Sequence, residues 1–150
     1  KAVYNSLGTQ KGEATNFIAV GSSAHGVLND QYYFQNFYEQ DLYRKALKEG
    51  KFPIYRGLKM KPDDVIRREV IRHIRTFFNI EFDFFDKKYP YKFKDYFQKE
   101  LINLKTMEND GLLKINENNI MLTPLGEHFS PQIANVFDVY NDQEFYKRAI

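Results

Sequence analysis

PDDVIRREVIRHI (residues 62–74), followed after an aromatic-rich interval by DYFQKELINLKTMENDGLLKINENNIMLTPLGEHFS (residues 95–130), is the part of the chain whose reading decides the fold. Pro62 opens a helix at a position where its missing N–H costs nothing, and Asp63 and Asp64 place negative charge in the first turn, where the helix dipole favours it. Ile66, Val70, Ile74 and Phe77 then recur at helical spacing, while Arg67, Arg68, Arg72 and Arg75 occupy the other faces. The segment from Ile80 to Tyr91 reads as a short aromatic-rich helix or turn closed by Pro90. A second long helix is expected over about Lys92 to Glu108, burying Phe93, Phe97, Leu101 and Leu104. Asn109-Asp110-Gly111 ends it with residues that tolerate left-handed backbone angles. Two short strands follow, Leu112 to Ile115 and Ile120 to Leu122, joined by the turn-forming run Asn116-Glu117-Asn118-Asn119. Thr123 and Pro124 supply an N-cap and a first-turn proline for a last helix carrying Ile133, Val136, Phe137 and Tyr140. Helix, short helix, helix, hairpin and helix in this order predict a winged-helix-like domain over residues 62–150. The fold class is α+β, mainly helical with a small β-hairpin.

Working back toward the amino terminus, Lys51 to Lys61 contains Pro53 and Gly57 and reads as a linker, so a domain boundary is expected at 51–61. Asn36 to Glu49 is charged and helix-favouring, with Phe37, Leu42, Ala46 and Leu47 as its apolar face and Gly50 as its stop. Residues 1–33 are rich in Gly, Ser, Asn and Thr. Their one strongly apolar run, Phe17-Ile18-Ala19-Val20, reads as a short buried strand ending at Gly21. The next residues, Gly21-Ser22-Ser23-Ala24-His25-Gly26, are small enough to let backbone approach a neighbour or ligand. A loop at a strand's carboxyl end is where α/β folds gather ligands.

Composition removes several chemistries. The 150 residues contain no Cys, which excludes disulfides, thiolate nucleophiles and cysteine-held zinc or iron-sulfur centres within this chain. Three histidines, His25, His73 and His128, lie far apart and without metal-ligand spacing, so no metal site is expected. The 14 Phe and 11 Tyr imply a core built largely from rings. A net charge of +2, with signs interleaved along the chain, demands no polyanionic partner. No apolar run approaches the roughly 20 residues that span a bilayer, and the default location is cytoplasmic. A start at Lys1 rather than Met suggests a piece of a longer polypeptide.

Two stretches carry a family resemblance. IAVGSSAHG (18–26) with YYFQNFYEQDLYRKALKEGKFPIYRG (32–57) is similar to the end of the catalytic barrel in oxygen-independent coproporphyrinogen III oxidases and the related radical S-adenosylmethionine (SAM) haem chaperones. PDDVIRREVIRHI through LTPLGEHFS resembles the same family's carboxy-terminal domain, with DDVIRR, DGLL and LTPLG in the family's order. Together they cover about residues 17–140. The resemblance implies that residues 1–50 are the terminal strand-loop-helix piece of a partial β/α barrel. It also implies a parent enzyme with a four-iron four-sulfur cluster, held on a CxxxCxxC motif, and bound SAM. Reductive cleavage of SAM would give a deoxyadenosyl radical that removes hydrogen from a propionate of coproporphyrinogen III, and loss of carbon dioxide would lead to protoporphyrinogen IX. This chain has no such motif, so it is expected to bind neither cofactor alone and to depend on an amino-terminal radical SAM barrel as partner. Gly21, Ser22, Ser23, Ala24 and His25 match the SAM-side loop, although the oxidases usually carry an aliphatic residue at the His25 position. The AHG form is nearer the haem chaperones, and DDVIRREVIRHI is nearer the oxidases.

Plainer assignments stand beside these. His25 in a Gly/Ser loop could be a solvent-facing residue with local hydrogen bonds. Arg67 and Arg68 could hold substrate propionates through bidentate hydrogen bonds, or simply pair with Asp63 and Asp64 one helical turn earlier. A winged helix also invites a nucleic-acid function. The bases of the second long helix, Lys92, Lys94, Lys99 and Lys105, are offset by Asp95, Glu100 and Glu108, and the wing carries Glu117 and no base, so no nucleic-acid partner is expected.

Overall fold

The structure is a computed structural model that describes residues 16–140 together with the paired strands β1 (Ala2–Asn5) and β2 (Gly8–Lys11). It has an α+β fold of short sheets and helices. The chain divides into two compact units, one taking in Thr9–Ile66 and the other the chain from Arg67 onward.

In the first unit, β3 (His25–Leu28), β4 (Tyr32–Asn36) and β5 (Ile54–Lys59) form an antiparallel sheet in the order β3-β4-β5, and α1 (Gln40–Lys48) connects the last two strands. Asn29 and Asp30, both at positive φ, make the turn between β3 and β4. Asn and Asp are the side chains that accept that conformation most readily. The expected linker at 51–61 is thus largely strand. Pro53 precedes β5, and Gly57 lies inside it opposite Phe34. The two residue types that suggested a break are tolerated because one sits at the strand's start and the other faces a bulky partner.

The apolar run Phe17 to Val20 is not the buried strand its composition suggested. Phe17 makes one isolated bridge to Val27, with N–H to O distances of 2.7 and 2.8 Å, whereas Ile18 is 67% and Val20 87% exposed. A strand buried on both faces needs neighbours on both sides. Among the described residues this run has only the one bridge.

The second unit follows α2 (Pro62–Phe77) with β6 (Asn79–Glu81), α3 (Phe82–Lys88), α4 (Phe93–Tyr96), α5 (Gln98–Asn109), β7 (Leu113–Ile115), β8 (Asn119–Leu122), α6 (Pro124–His128) and α7 (Ser130–Asn135). Its antiparallel sheet has the order β6-β8-β7, with Ile120 opposite both Ile80 and Ile115. The hairpin was legible in the sequence, and the third strand β6 was not. Phe85, Phe93, Phe97 and Phe137 are fully buried, and so are Val70, Ile74 and Leu104. Phe93 stacks on Phe82 at 4.6 Å and meets Phe97 at 4.8 Å, and Phe97 meets Phe137 edge-on at 5.3 Å. Offset and edge-to-face rings of this kind add about 0.5–1.5 kcal/mol per pair beyond the area they bury.

Two helices expected to be continuous are broken. The one over Lys92 to Glu108 interrupts at Phe97, whose backbone (φ −105°, ψ 28°) leaves the helical region while its ring enters the aromatic cluster. Leu101, expected to be buried, is only half-buried. The last helix divides at Phe129, because Pro131 has no N–H to donate back into the preceding turn. Thr123 does cap α6: its hydroxyl accepts from the Gly126 N–H at 3.1 Å and donates to the Gly111 carbonyl at 2.8 Å. Gly126 itself is required by space, since a Cβ there would come within 1.7 Å of the Leu112 carbonyl oxygen.

Candidate functional site

The loop Gly21–Gly26 is held by its neighbours in the first unit. The Gly21 N–H donates to the Tyr43 hydroxyl at 2.9 Å, tying the loop to α1. The Asn36 side-chain amide donates to the carbonyls of Gly21 (2.9 Å) and Ala19 (3.2 Å). Asn36 is 2% exposed and also donates its backbone N–H to the Ala24 carbonyl at 2.9 Å, so one buried residue bridges both ends of the loop. Ser23 donates its N–H to the Phe37 carbonyl at 2.9 Å and holds φ at 64°, while Gly21 sits at φ 111°. The second value lies where a side chain is strained, which accounts for glycine. Gly26 is also needed, because a Cβ there would strike the Phe34 ring at 2.0 Å.

The loop runs directly into β3, and His25 is therefore placed by sheet register. It lies opposite Gln35 on β4, which in turn lies opposite Arg56 on β5. These three residues, with Tyr33, Phe34, Gly57 and Leu58, line an open groove of about 280 Å³. Arg56 Nε donates to Gln35 Oε1 at 2.9 Å, and Gln35 Nε2 donates to the Ser23 carbonyl at 3.3 Å. Of the expected loop residues Gly21, Ser22, Ser23, Ala24 and His25, the first four lie on the turn, whereas His25 is the first residue of β3, where it lines the groove.

Arg67 and Arg68 lie on α2 in the second unit. Arg67 is engaged internally: its guanidinium pairs with Glu100 at 2.7 Å, reaches the Phe137 carbonyl at 3.3 Å and lies 5.5 Å from the centre of the Phe97 ring. Both members of that ion pair are nearly buried, with side chains 14% and 10% exposed. Arg72 joins a second buried cluster around Glu69, which accepts from Lys88 at 2.7 Å and from the Tyr89 hydroxyl, with Arg72 at 3.4 Å. Burial alone would raise the Glu69 carboxyl, but the hydrogen bonds from Lys88 and Tyr89 and the charges of Lys88 and Arg72 outweigh it and hold the group below the usual glutamate range. His73 packs among Phe77, Phe84 and Phe85, at ring separations of 4.9 to 5.7 Å, a core-edge position. His128 ends α6 at the surface.

Sequence reasoning missed Asn36, Gln35 and Arg56. The strand alternation that aligns Gln35 and Arg56 was concealed by the assignment of 36–49 to helix and 51–61 to a linker. No group of three or more His, Asp or Glu among the described residues is arranged to hold a metal ion, and no helix among them is long and apolar enough to cross a membrane.

Residues 60–127 match the HemN C-terminal domain family. The chain is 34% identical over 126 residues to the oxygen-independent coproporphyrinogen III oxidase of Helicobacter pylori strain J99, covering 84% of this chain and 27% of that protein. It is 33% identical over 144 residues to the Synechocystis enzyme of the same name, covering 91% of this chain and 31% of the relative. Among solved structures, coproporphyrinogen III oxidase (HemN) from Escherichia coli, described as a radical SAM enzyme, matches with a TM-score of 0.85 at 29% identity, over 93% of this chain and 32% of that one. The chain therefore spans about a third of the length of these relatives. In sequence over most of its length and in fold, the chain is similar to the carboxy-terminal portion of oxygen-independent coproporphyrinogen III oxidases, and its residues 60–127 match the HemN C-terminal domain.

Proposed function

We propose that this chain is the carboxy-terminal part of a radical SAM oxidoreductase that converts coproporphyrinogen III to protoporphyrinogen IX. The observation that carries the reading is the agreement with the Escherichia coli enzyme in both fold and sequence over 93% of this chain. The relatives' shared name favours the oxidase branch over the haem chaperones. In such an enzyme the iron-sulfur cluster and SAM supply the radical that removes hydrogen from a substrate propionate. With no cysteine in its 150 residues, this chain leaves cluster ligation to an amino-terminal barrel. Its own contribution is a wall: the Gly21–His25 loop, fixed by Asn36 and Tyr43, offers small side chains and backbone groups toward the cofactor side. The exposed Ile18, Val20, Phe52 and Leu58 of the first unit give the barrel an apolar surface to cover. On this reading the second unit is a winged-helix-like packed scaffold, a reading its run of helix, strand, helices and hairpin supports, and the location consistent with this pathway is cytoplasmic.

The test is a hybrid in which this chain replaces the matching segment of the Escherichia coli oxidase. After anaerobic cluster reconstitution the hybrid is expected to form protoporphyrinogen IX. A hybrid that retains its cluster and still cleaves SAM, yet forms no decarboxylated product, overturns the proposal.

A further inference from the structure

We propose that the cross-strand row His25, Gln35 and Arg56 is a carboxylate-binding subsite that receives a propionate of a tetrapyrrole. The choice of a tetrapyrrole as the carboxylate's owner rests on the function proposed above, whereas the subsite itself rests on geometry.

The three residues lie directly opposite one another on adjacent strands and therefore share one face of the sheet. Gln35 acts as a fixed spacer. Its Oε1 takes the Arg56 Nε hydrogen at 2.9 Å and its Nε2 is turned back to the Ser23 carbonyl at 3.3 Å, so the amide has its orientation set from both sides. That bond uses the Nε edge of the guanidinium and leaves the two terminal amino groups directed elsewhere. No carboxylate among the described residues pairs with Arg56, and none pairs with His25. Arg67, the arginine that the helix pattern made conspicuous, is by contrast already satisfied by Glu100.

A planar pair of N–H donors selects a planar pair of oxygens, and an imidazole N–H on the far side of the spacer can add a further donor. The rest of the groove on that face is Tyr33 and Leu58, an apolar lining suited to methylenes and the edge of a flat ring. A carboxylate carried on a short aliphatic arm from an aromatic-sized ring satisfies both halves of that lining. A bare inorganic anion satisfies only the first.

The same carboxylate chemistry could come from the amino-acid end of SAM, and the experiment separates the two sources. The chain is titrated with coproporphyrin III, with its tetramethyl ester, and with S-adenosylhomocysteine, using the unmodified protein and the exposed-site variants Arg56→Gln and Arg56→Lys. Coproporphyrin III is expected to bind about tenfold or more tightly than the ester. Arg56→Gln should bring its affinity down to that of the ester without changing ester binding, and Arg56→Lys should recover part of the loss. Circular dichroism of the variants checks folding, and the ester comparison needs no mutation. Equal binding of acid and ester, no binding of coproporphyrin III, or an affinity indifferent to Arg56→Gln overturns the subsite. Dependence on Arg56 for S-adenosylhomocysteine alone overturns the tetrapyrrole assignment. Turnover by the hybrid enzyme with Arg56-independent porphyrin binding defeats this inference alone. Arg56-dependent porphyrin binding without turnover defeats the functional proposal alone.

Discussion

The two units of this chain differ in how much apolar surface they bury: Val27, Met60 and Ile66 are the buried apolar residues among those described in the first, whereas the second buries a cluster of rings and aliphatic side chains. The second holds Phe85, Phe93, Phe97 and Phe137 at no more than 2% exposure in one ring cluster, while Phe77, Tyr91 and Phe129 stay at its surface. The first leaves Ile18, Val20, Phe52 and Leu58 largely in solvent and holds its loop with polar contacts centred on one buried amide, Asn36. A unit of the first kind is stable through its own packing, whereas one of the second kind carries surface that gains from being covered. The difference is the one expected if the second unit is the scaffold and the first the wall proposed above.

Removing a ring from the second unit should have the largest effect. Phe97→Ala deletes contacts to Phe93, Tyr96 and Phe137 and to the Arg67 guanidinium, and a loss of about 3–5 kcal/mol is expected in urea unfolding followed by near-ultraviolet dichroism. A loss below about 1 kcal/mol would mean that the unit can collapse around the gap and that its packing is not the source of its order.

In the first unit the equivalent change is polar and smaller. Asn36→Ala removes both side-chain donors to the carbonyls of Ala19 and Gly21 and leaves those groups to find water, at a cost of about 1–3 kcal/mol. Amide exchange at Gly21 and Ser23 should accelerate while exchange in α5 stays unchanged. Uniform acceleration in both elements would erase the contrast between the units.

The smallest effect is one of pH. Because the folded Glu69 carboxyl lies below its ordinary value, its contribution is present above the unfolded value and is lost as pH falls through the lower folded one. Glu69→Gln should flatten that part of the stability profile on the acid side and leave the neutral region parallel to the unmodified protein. An acid limb of unchanged slope would place the pH sensitivity elsewhere.

The contrast also explains what could be read from the sequence. Elements with local causes were legible: the helix from Pro62 with its acidic first turn, the hairpin around Asn116–Asn119, and the Thr123 cap, all present at the expected residues. Breaks imposed by tertiary packing were not, as at Phe97, where side-chain burial prevails over helix continuity. The turn at Gly21–Ala24 was legible because its small residues mark it, although His25 and Gly26, read as part of the same loop, begin β3. The residues that position it were hidden, since the roles of Asn36 and Gln35 depend on strand pairing with partners about 10 to 20 residues away. Arg56 was hidden for a related reason: a proline and a glycine made a strand resemble a linker. The arginines on α2 were conspicuous by number, but one of them, Arg67, answers to Glu100 thirty-three residues later, a pairing that no local pattern announces.

The central claim is that the first unit's exposed apolar surface belongs against an amino-terminal barrel. Hydrogen exchange measured on this chain alone and within the hybrid oxidase tests it most directly. The account predicts that amides of residues 16–28 and of β5 gain protection in the hybrid by about tenfold or more, while those of α5 and β8 keep the rates they have in the isolated chain. Unchanged exchange across residues 16–28 and β5 in a hybrid that has folded and taken up its cluster would contradict it.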